Sequence, residues 1–175
     1  MKTRIINAII DVEGGYVDDP NDSGGETNFG ITVDVARANG YFGPMRELSR
    51  DTAFVIYSAK YWDAVRGDDL VSLSEAVAEE VVDTAVNMGP GRAGTFLQRS
   101  LNALNDRGRL YDDITIDGAV GPVTVSRLKI YLSERDGGVL VKMLNCLQGA
   151  FYVELAERRE KDERFIYGWF KHRVG

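Results

Sequence analysis

The chain has 175 residues and a net charge of −6, from 21 basic and 27 acidic side chains. That length fits one domain or one domain with a small appendage, and that charge excludes a general nucleic-acid-coating role, which needs a basic stripe to displace phosphate counterions. With 44% hydrophobic and 27% charged residues there is enough apolar material for a core without a metal or disulfide staple. The lone cysteine, Cys146, sits in an apolar helical pattern and reads as a small buried hydrophobe. The lone histidine, His172, lies near the end of the sequence, and no CxxC, HExxH or paired-His spacing occurs. No metal site and no cofactor are therefore expected.

In chain order the periodicity is helical almost throughout. Ile5, Ile6, Ile9, Ile10 and Glu13 lie on one face of a first helix, stopped by Gly14-Gly15. Residues 14–31 read as a loop rich in turn formers and carrying Tyr16 and Phe29, and a loop of that length in a small domain points to function. Thr32 or Asp34 caps a short helix over Val33–Asn39. Ser49 caps the next, whose apolar side holds Ala53, Phe54, Ile56, Tyr57, Tyr61 and Trp62. Ser72 or Ser74 starts a helix that ends at Gly89-Pro90-Gly91, and a further helix runs from about Arg92 to Asn105. Gly108–Gly121 is the second irregular stretch and the expected place for any short strand or hairpin, through Ile114 and Ile116. Helix resumes over Val123–Leu132, Asp136-Gly137-Gly138 breaks it, and Leu140, Leu144, Leu147, Phe151 and Leu155 mark a long amphipathic helix whose far end, Glu157–Arg164, is a solvated charged face. The fold class expected is mainly α with at most a short hairpin.

The chemistry is concentrated at the end of the first helix. A carboxyl there feels the negative end of the helix macrodipole, and apolar neighbours would desolvate it. Both disfavour ionisation, as a general acid for a glycosidic oxygen requires. Asp22, nine residues on in a polar loop, is placed to stay ionised, and two carboxyls in unlike surroundings are the basic apparatus of glycoside hydrolysis. Thr27 and Asn28 are candidates to hold a water or a sugar hydroxyl. The bland alternative for Glu13 is a plain helix end.

The run Val12-Glu13-Gly14-Gly15-Tyr16-Val17, followed by Pro20-Asn21-Asp22-Ser23-Gly24-Gly25-Glu26-Thr27-Asn28-Phe29-Gly30-Ile31-Thr32, closely resembles the N-terminal signature of glycoside hydrolase family 108, a family of N-acetylmuramidases that includes phage endolysins and secretion-associated peptidoglycan hydrolases. The resemblance extends through Tyr61-Trp62, Asp83–Gly89 and Leu97-Gln98. Asp117-Gly118-Ala119-Val120-Gly121-Pro122-Val123-Thr124 is similar to the D-G-x-x-G-P-x-T turn of small peptidoglycan-binding modules, although glycine, proline and a capping threonine also make a purely structural turn. The resemblance implies a lysozyme-like helical fold of two packed lobes with a cleft between them, the catalytic region over residues 1–88 and a helical peptidoglycan-binding-like region over 89–175. It implies Glu13 as the general acid. Asp22 and Thr27 then take places like those of phage-type lysozymes, with the departure that four rather than five residues separate them. Glu26 competes as the second carboxylate or as a substrate contact. Tyr16, Tyr61 and Trp62 are candidates for a sugar-binding wall, with core packing at helical spacing the alternative, above all for Trp62, and Asn87 is a candidate to contact an acetamido group or to cap its helix.

The expected substrate is the β-1,4 bond between N-acetylmuramic acid and N-acetylglucosamine in peptidoglycan glycan strands. No nucleic-acid partner and no stable membrane insertion are expected, and the protein reads as a monomer. The stretch Ile5–Ile10 is far shorter than a spanning helix and too interrupted for a signal-peptide core. Synthesis in the bacterial cytoplasm and action on periplasmic peptidoglycan would then need a holin or another export route. Host-cell lysis by a bacteriophage endolysin, with the antimicrobial action that follows, and local wall opening for protein secretion share this chemistry. A non-catalytic wall-binding protein is the alternative of a different class, and an amidase or peptidase lacks its metal ligands or nucleophile–base pair.

Overall fold

The computed structural model of the chain describes residues 1–18 and 25–174, the side chain of His172 excepted. Of the candidate residues, Asp22 lies outside the described residues. Among the described residues are nine α-helices and one two-stranded hairpin, so the chain is mainly α. It divides into two units, Met1–Asp63 and Ala64–Gly175.

In the first unit, α1 (Lys2–Glu13) buries Ile5, Ile6, Ile9 and Ile10 on one stripe, each such side chain contributing roughly 1.5–3 kcal/mol relative to exposure. It packs on α3 (Arg50–Tyr57), which turns Ala53, Ile56 and Tyr57 inward. Gly14, at φ 80°, ends α1 directly after Glu13. The Ser49 hydroxyl caps α3, accepting from the Thr52 N–H at 3.1 Å. Beyond α3 the chain makes one π-helical turn, Ser58–Trp62, which shifts the phase of the side chains, buries Trp62 completely and leaves Tyr61 partly exposed. α2 (Val33–Ala38) is capped by Thr32, with the Val35 N–H at 3.4 Å from its hydroxyl.

The hairpin lies at β1 (Thr27–Asn28) and β2 (Ile31–Thr32), antiparallel, with Thr27 opposite Thr32 and Asn28 opposite Ile31. Its loop is the pair Phe29 and Gly30, with φ of 51° and 70°, the left-handed combination of a type I′ connection. Val17 adds a bridge, exchanging backbone hydrogen bonds of 2.9 and 2.8 Å with Thr27. This corrects the expectation of a continuous loop over 14–31 and of the hairpin in Gly108–Gly121, where no strand forms. Phenylalanine, rather than asparagine, aspartate or glycine, at the first central position hides the turn signal. In the later stretch the Ile114 backbone pairs with a side chain instead: its N–H donates to Asn102 Oδ1 at 2.9 Å and its carbonyl accepts from Asn102 Nδ2 at 2.8 Å.

The second unit holds α4 (Gly67–Leu73), α5 (Glu75–Met88), α6 (Pro90–Ala103), α7 (Pro122–Glu134), α8 (Gly137–Arg158) and α9 (Glu163–His172). α5 packs on α4, α6 and α8, and α8 also packs on α6 and α9. Gly137 and Gly138 open α8 rather than merely breaking the chain, because Asp136 Oδ1 accepts from the Gly138 N–H at 2.8 Å. The buried face of α8 is Leu140, Leu144, Asn145, Gln148, Gly149, Tyr152 and Ala156. Leu147, Phe151 and Leu155 are only partly buried, and Cys146 is exposed, contrary to its reading as a core residue. The helix ends at Arg158, and the charged run leads through a short 3-10 turn into α9, whose Trp169 stacks on Tyr152 with ring centroids 4.6 Å apart. By length and composition α8 is also apolar enough to cross a membrane, with 39% of its most apolar window buried.

Polar side chains join α5 to α8. Asn145 Nδ2 donates to Glu80 Oε2 at 3.1 Å, and Gln148 Nε2 reaches Asp83 Oδ2 at 3.2 Å and Thr84 Oγ1 at 3.3 Å. Arg173 closes the cluster on Asp83 at 3.3 Å. Burial, then the neighbouring Asp83 charge, push the Glu80 carboxyl up to about 7, against the pull of hydrogen bonds from Asn145 and Thr84. The motif turn at Asp117 is tied down by Gln98: its Nε2 donates to Asp117 Oδ1 at 2.7 Å and to the Ala119 carbonyl at 3.0 Å, while its Oε1 accepts from the Gly118 N–H at 2.8 Å. The hydrogen bond from Gln98 holds the exposed Asp117 carboxyl below its usual range.

Two outcomes are expected. A Cβ at Gly94 would run into the Gly118 carbonyl, backbone against backbone. Gly94→Ala should therefore destabilise the protein by about 1–3 kcal/mol or more, read as a lowered melting temperature. Glu80 ionises near 4.5 when unfolded and near 7 when folded, so between those values the folded state holds a proton that the unfolded state has lost. Stability contributed by this group should fall as pH rises from about 4.5 to about 7 and stay lost above that. Glu80→Gln should flatten this part of the melting profile, and an unchanged profile would contradict the assignment.

Candidate active site

Glu13 ends α1 where Gly14 turns the chain away, so its carboxyl projects from the last turn with the helix carbonyls behind it. It is partly buried. The hairpin loop closes against it: a Cβ built at Gly30 would fall 2.7 Å from Glu13 Oε2 and 3.0 Å from both Glu13 Cβ and the Tyr57 hydroxyl oxygen. Only a residue without a side chain fits between the carboxyl and Tyr57. The Tyr57 hydroxyl donates to the Phe29 carbonyl at 2.9 Å. Tyr61 lies one turn on from Tyr57, ring centroids 5.4 Å apart. Burial and then the negative charge of Glu13 push the Tyr61 phenol upward. Glu13, Gly30, Tyr57 and Tyr61 therefore form one group, drawn from α1, the hairpin, α3 and the π-helical turn.

The other candidates fall into different places. Tyr16 is partly exposed, with the Arg46 guanidinium 4.7 Å from its ring centre, and the Lys60 ammonium lies 5.3 Å from the Tyr61 ring centre. Such cation-bearing rings suit hydroxyl-rich or anionic substrate groups. Glu26 is partly buried, directly before β1, and Thr27 is paired on both sides, to Val17 and to Thr32. Asn28 is 4% exposed, and its amide donates to the Met45 carbonyl at 2.8 Å and the Leu48 carbonyl at 3.5 Å. Its side chain ties the hairpin to the 45–48 turn instead of facing a sugar. Trp62, at 0% exposure, is a core residue with the Lys2 ammonium 5.7 Å from its ring, so the aromatic wall expected of Tyr16, Tyr61 and Trp62 loses its tryptophan. Asn87 belongs to the second unit, in the last turn of α5, where its amide donates to the Asp83 carbonyl at 2.8 Å. Among the described residues no group of three or more His, Cys, Asp or Glu side chains is placed to hold a metal ion.

Reasoning from the sequence missed Tyr57, Arg46 and Lys60. Tyr57 was counted on the apolar side of its helix, which it occupies; the spacing of four to Tyr61 was the available signal that both rings share a face. Arg46 and Lys60 carry no local pattern that separates them from ordinary surface cations.

Residues 6–89 match the family described as Glycosyl hydrolase 108, and residues 92–174 match the family described as Predicted Peptidoglycan domain. No curated protein matches the chain. Among solved structures, that of Brucella abortus SagA is similar at 26% identity and a TM-score of 0.72, over 97% of this chain and 87% of that one. Residues 6–89 belong to the glycosyl hydrolase 108 family, a peptidoglycan-binding domain follows over residues 92–174, and the chain is a glycoside hydrolase that acts on peptidoglycan.

Proposed function

We propose that the protein is an N-acetylmuramidase that cleaves the β-1,4 bond between N-acetylmuramic acid and N-acetylglucosamine, with Glu13 as general acid. The observation that supports this most is the setting of Glu13: a partly buried carboxyl at a helix end, backed by the Gly30 turn and flanked by Tyr57 and Tyr61. The carboxyl gives its proton to the bridging oxygen as the bond from the muramic C1 to that oxygen breaks. Positive charge develops at C1, and water adds there, returning a proton to solvent or to the carboxylate. Asp22 or Glu26, with Thr27, supplies the second role, steadying the charge or orienting the water. Tyr16 and Tyr61 give the sugar ring surface to pack on, with the cations of Arg46 and Lys60 over one face of each. In this reading Asn28 shapes the site from behind. The biological setting we propose is endolysin-type wall degradation, with a holin or another route carrying a monomeric enzyme from the cytoplasm to the wall.

Digestion of purified Gram-negative sacculi, with products reduced by borohydride and weighed by mass spectrometry, tests the reaction. Wild type should release chains with reducible muramic acid ends, and Glu13→Gln, folded to the same melting temperature, should release about a hundredfold less or nothing. Cut peptide bonds, anhydro ends lacking the added water, or an active Glu13→Gln enzyme would each overturn the reading. Because the net charge is −6 and murein peptides are themselves acidic, long-range attraction contributes little. Activity should therefore hold within a few-fold between about 50 and 200 mM salt, and a steep loss over that range would contradict it.

A further inference from the structure

We infer that Tyr57 is a positioning residue for Glu13, acting through the strained Phe29–Gly30 turn that it holds against the carboxyl. The inference deepens the proposed reaction and rests on Glu13 being its acid.

Four observations carry it. Phe29 is a bulky residue at φ 51°, a left-handed conformation that persists only where the surroundings enforce it. Its carbonyl, which that conformation aims inward, is the acceptor for the Tyr57 hydroxyl at 2.9 Å. Tyr57 is itself 3% exposed and fixed in α3, so it is a rigid anchor rather than a surface contact. Finally, the turn so held brings the Gly30 Cα against Glu13, leaving no room for a methyl group between the carboxyl and the Tyr57 oxygen. The glutamate side chain has three rotatable bonds, and the turn closes off part of the space they sweep. A wall on one side removes the rotamers that would swing the acid away from a bound glycosidic oxygen. Such orientation acts on the chemical step, since a displacement of about 1 Å costs up to about a hundredfold in rate.

The test measures kcat and KM separately on soluble, uncross-linked glycan chains, together with melting temperature, for wild type, Tyr57→Phe, Gly30→Asn and Glu13→Gln. Tyr57→Phe keeps the ring and removes the bond to the Phe29 carbonyl. Gly30→Asn keeps a residue that tolerates the left-handed turn but puts a Cβ into the space beside Glu13. Both should lower kcat between about tenfold and a hundredfold with KM within about twofold. A wild-type kcat in Tyr57→Phe, beside an inactive Glu13→Gln, would overturn this inference and leave the muramidase reading intact. A raised KM with unchanged kcat would also overturn it, by making Tyr57 a substrate contact. An active Glu13→Gln would overturn the reading beneath both. If Tyr57→Phe does not fold, Gly30→Asn decides by the same split of kcat from KM.

Discussion

The contact on which the first unit's chemistry depends is the closure of a two-residue turn over the last side chain of a helix. α1 is held in place by four buried isoleucines packed on α3, and it stops at Gly14 so that Glu13 is the last side chain on its final turn. The hairpin then presents Gly30, the one residue type that fits there, to the carboxyl. Asn28 ties the hairpin down through the Met45 carbonyl, and Tyr57 ties it through the Phe29 carbonyl. A general acid must be both protected and free to reach its substrate. For Glu13 as the proposed acid, a wall of backbone on one side and partial exposure on the other provide both.

The second unit is organised differently. Its longest helix buries polar and small residues beside its leucines: Asn145, Gln148 and Gly149 lie inward with Leu140, Leu144, Tyr152 and Ala156. The polar ones meet Glu80, Asp83 and Thr84 of α5. Buried polar groups cost stability unless paired, and pairing them specifies one arrangement of the two helices. A second polar centre, Gln98, fastens the Asp117–Ala119 turn through both ends of its amide, with Gly94 and Gly118 allowing the backbones to meet. The motif that resembles peptidoglycan-binding modules is thus fastened from inside.

What the sequence disclosed follows from how local each signal is. The isoleucine stripe of α1, the caps Thr32, Ser49 and Ser74, and the glycine stops are short-range patterns, and all appear in the structure. The hairpin was hidden because Phe29 is an improbable residue for its conformation, held there by a partner 28 positions away. The buried face of α8 was misread for a related reason: leucine periodicity pointed to Leu147, Phe151 and Leu155, while the inward positions Asn145 and Gln148 look like surface until their partners 65 and 64 residues away are known. Cys146 shifted outward with that rotation. At the site, Glu13 was legible because a carboxyl at the end of an apolar helix face is locally odd. Asn28 and Trp62 carried the right chemistry for sugar binding, but burial assigns them to support.

The central claim is that Glu13 faces the bond that breaks. The most direct measurement is a crystal structure of Glu13→Gln with a bound peptidoglycan tetrasaccharide. The account requires a glycosidic oxygen within hydrogen-bond reach, about 2.6–3.2 Å, of the residue 13 side chain, with sugar rings against Tyr16 or Tyr61. A tetrasaccharide bound with no glycosidic oxygen near that side chain would contradict it.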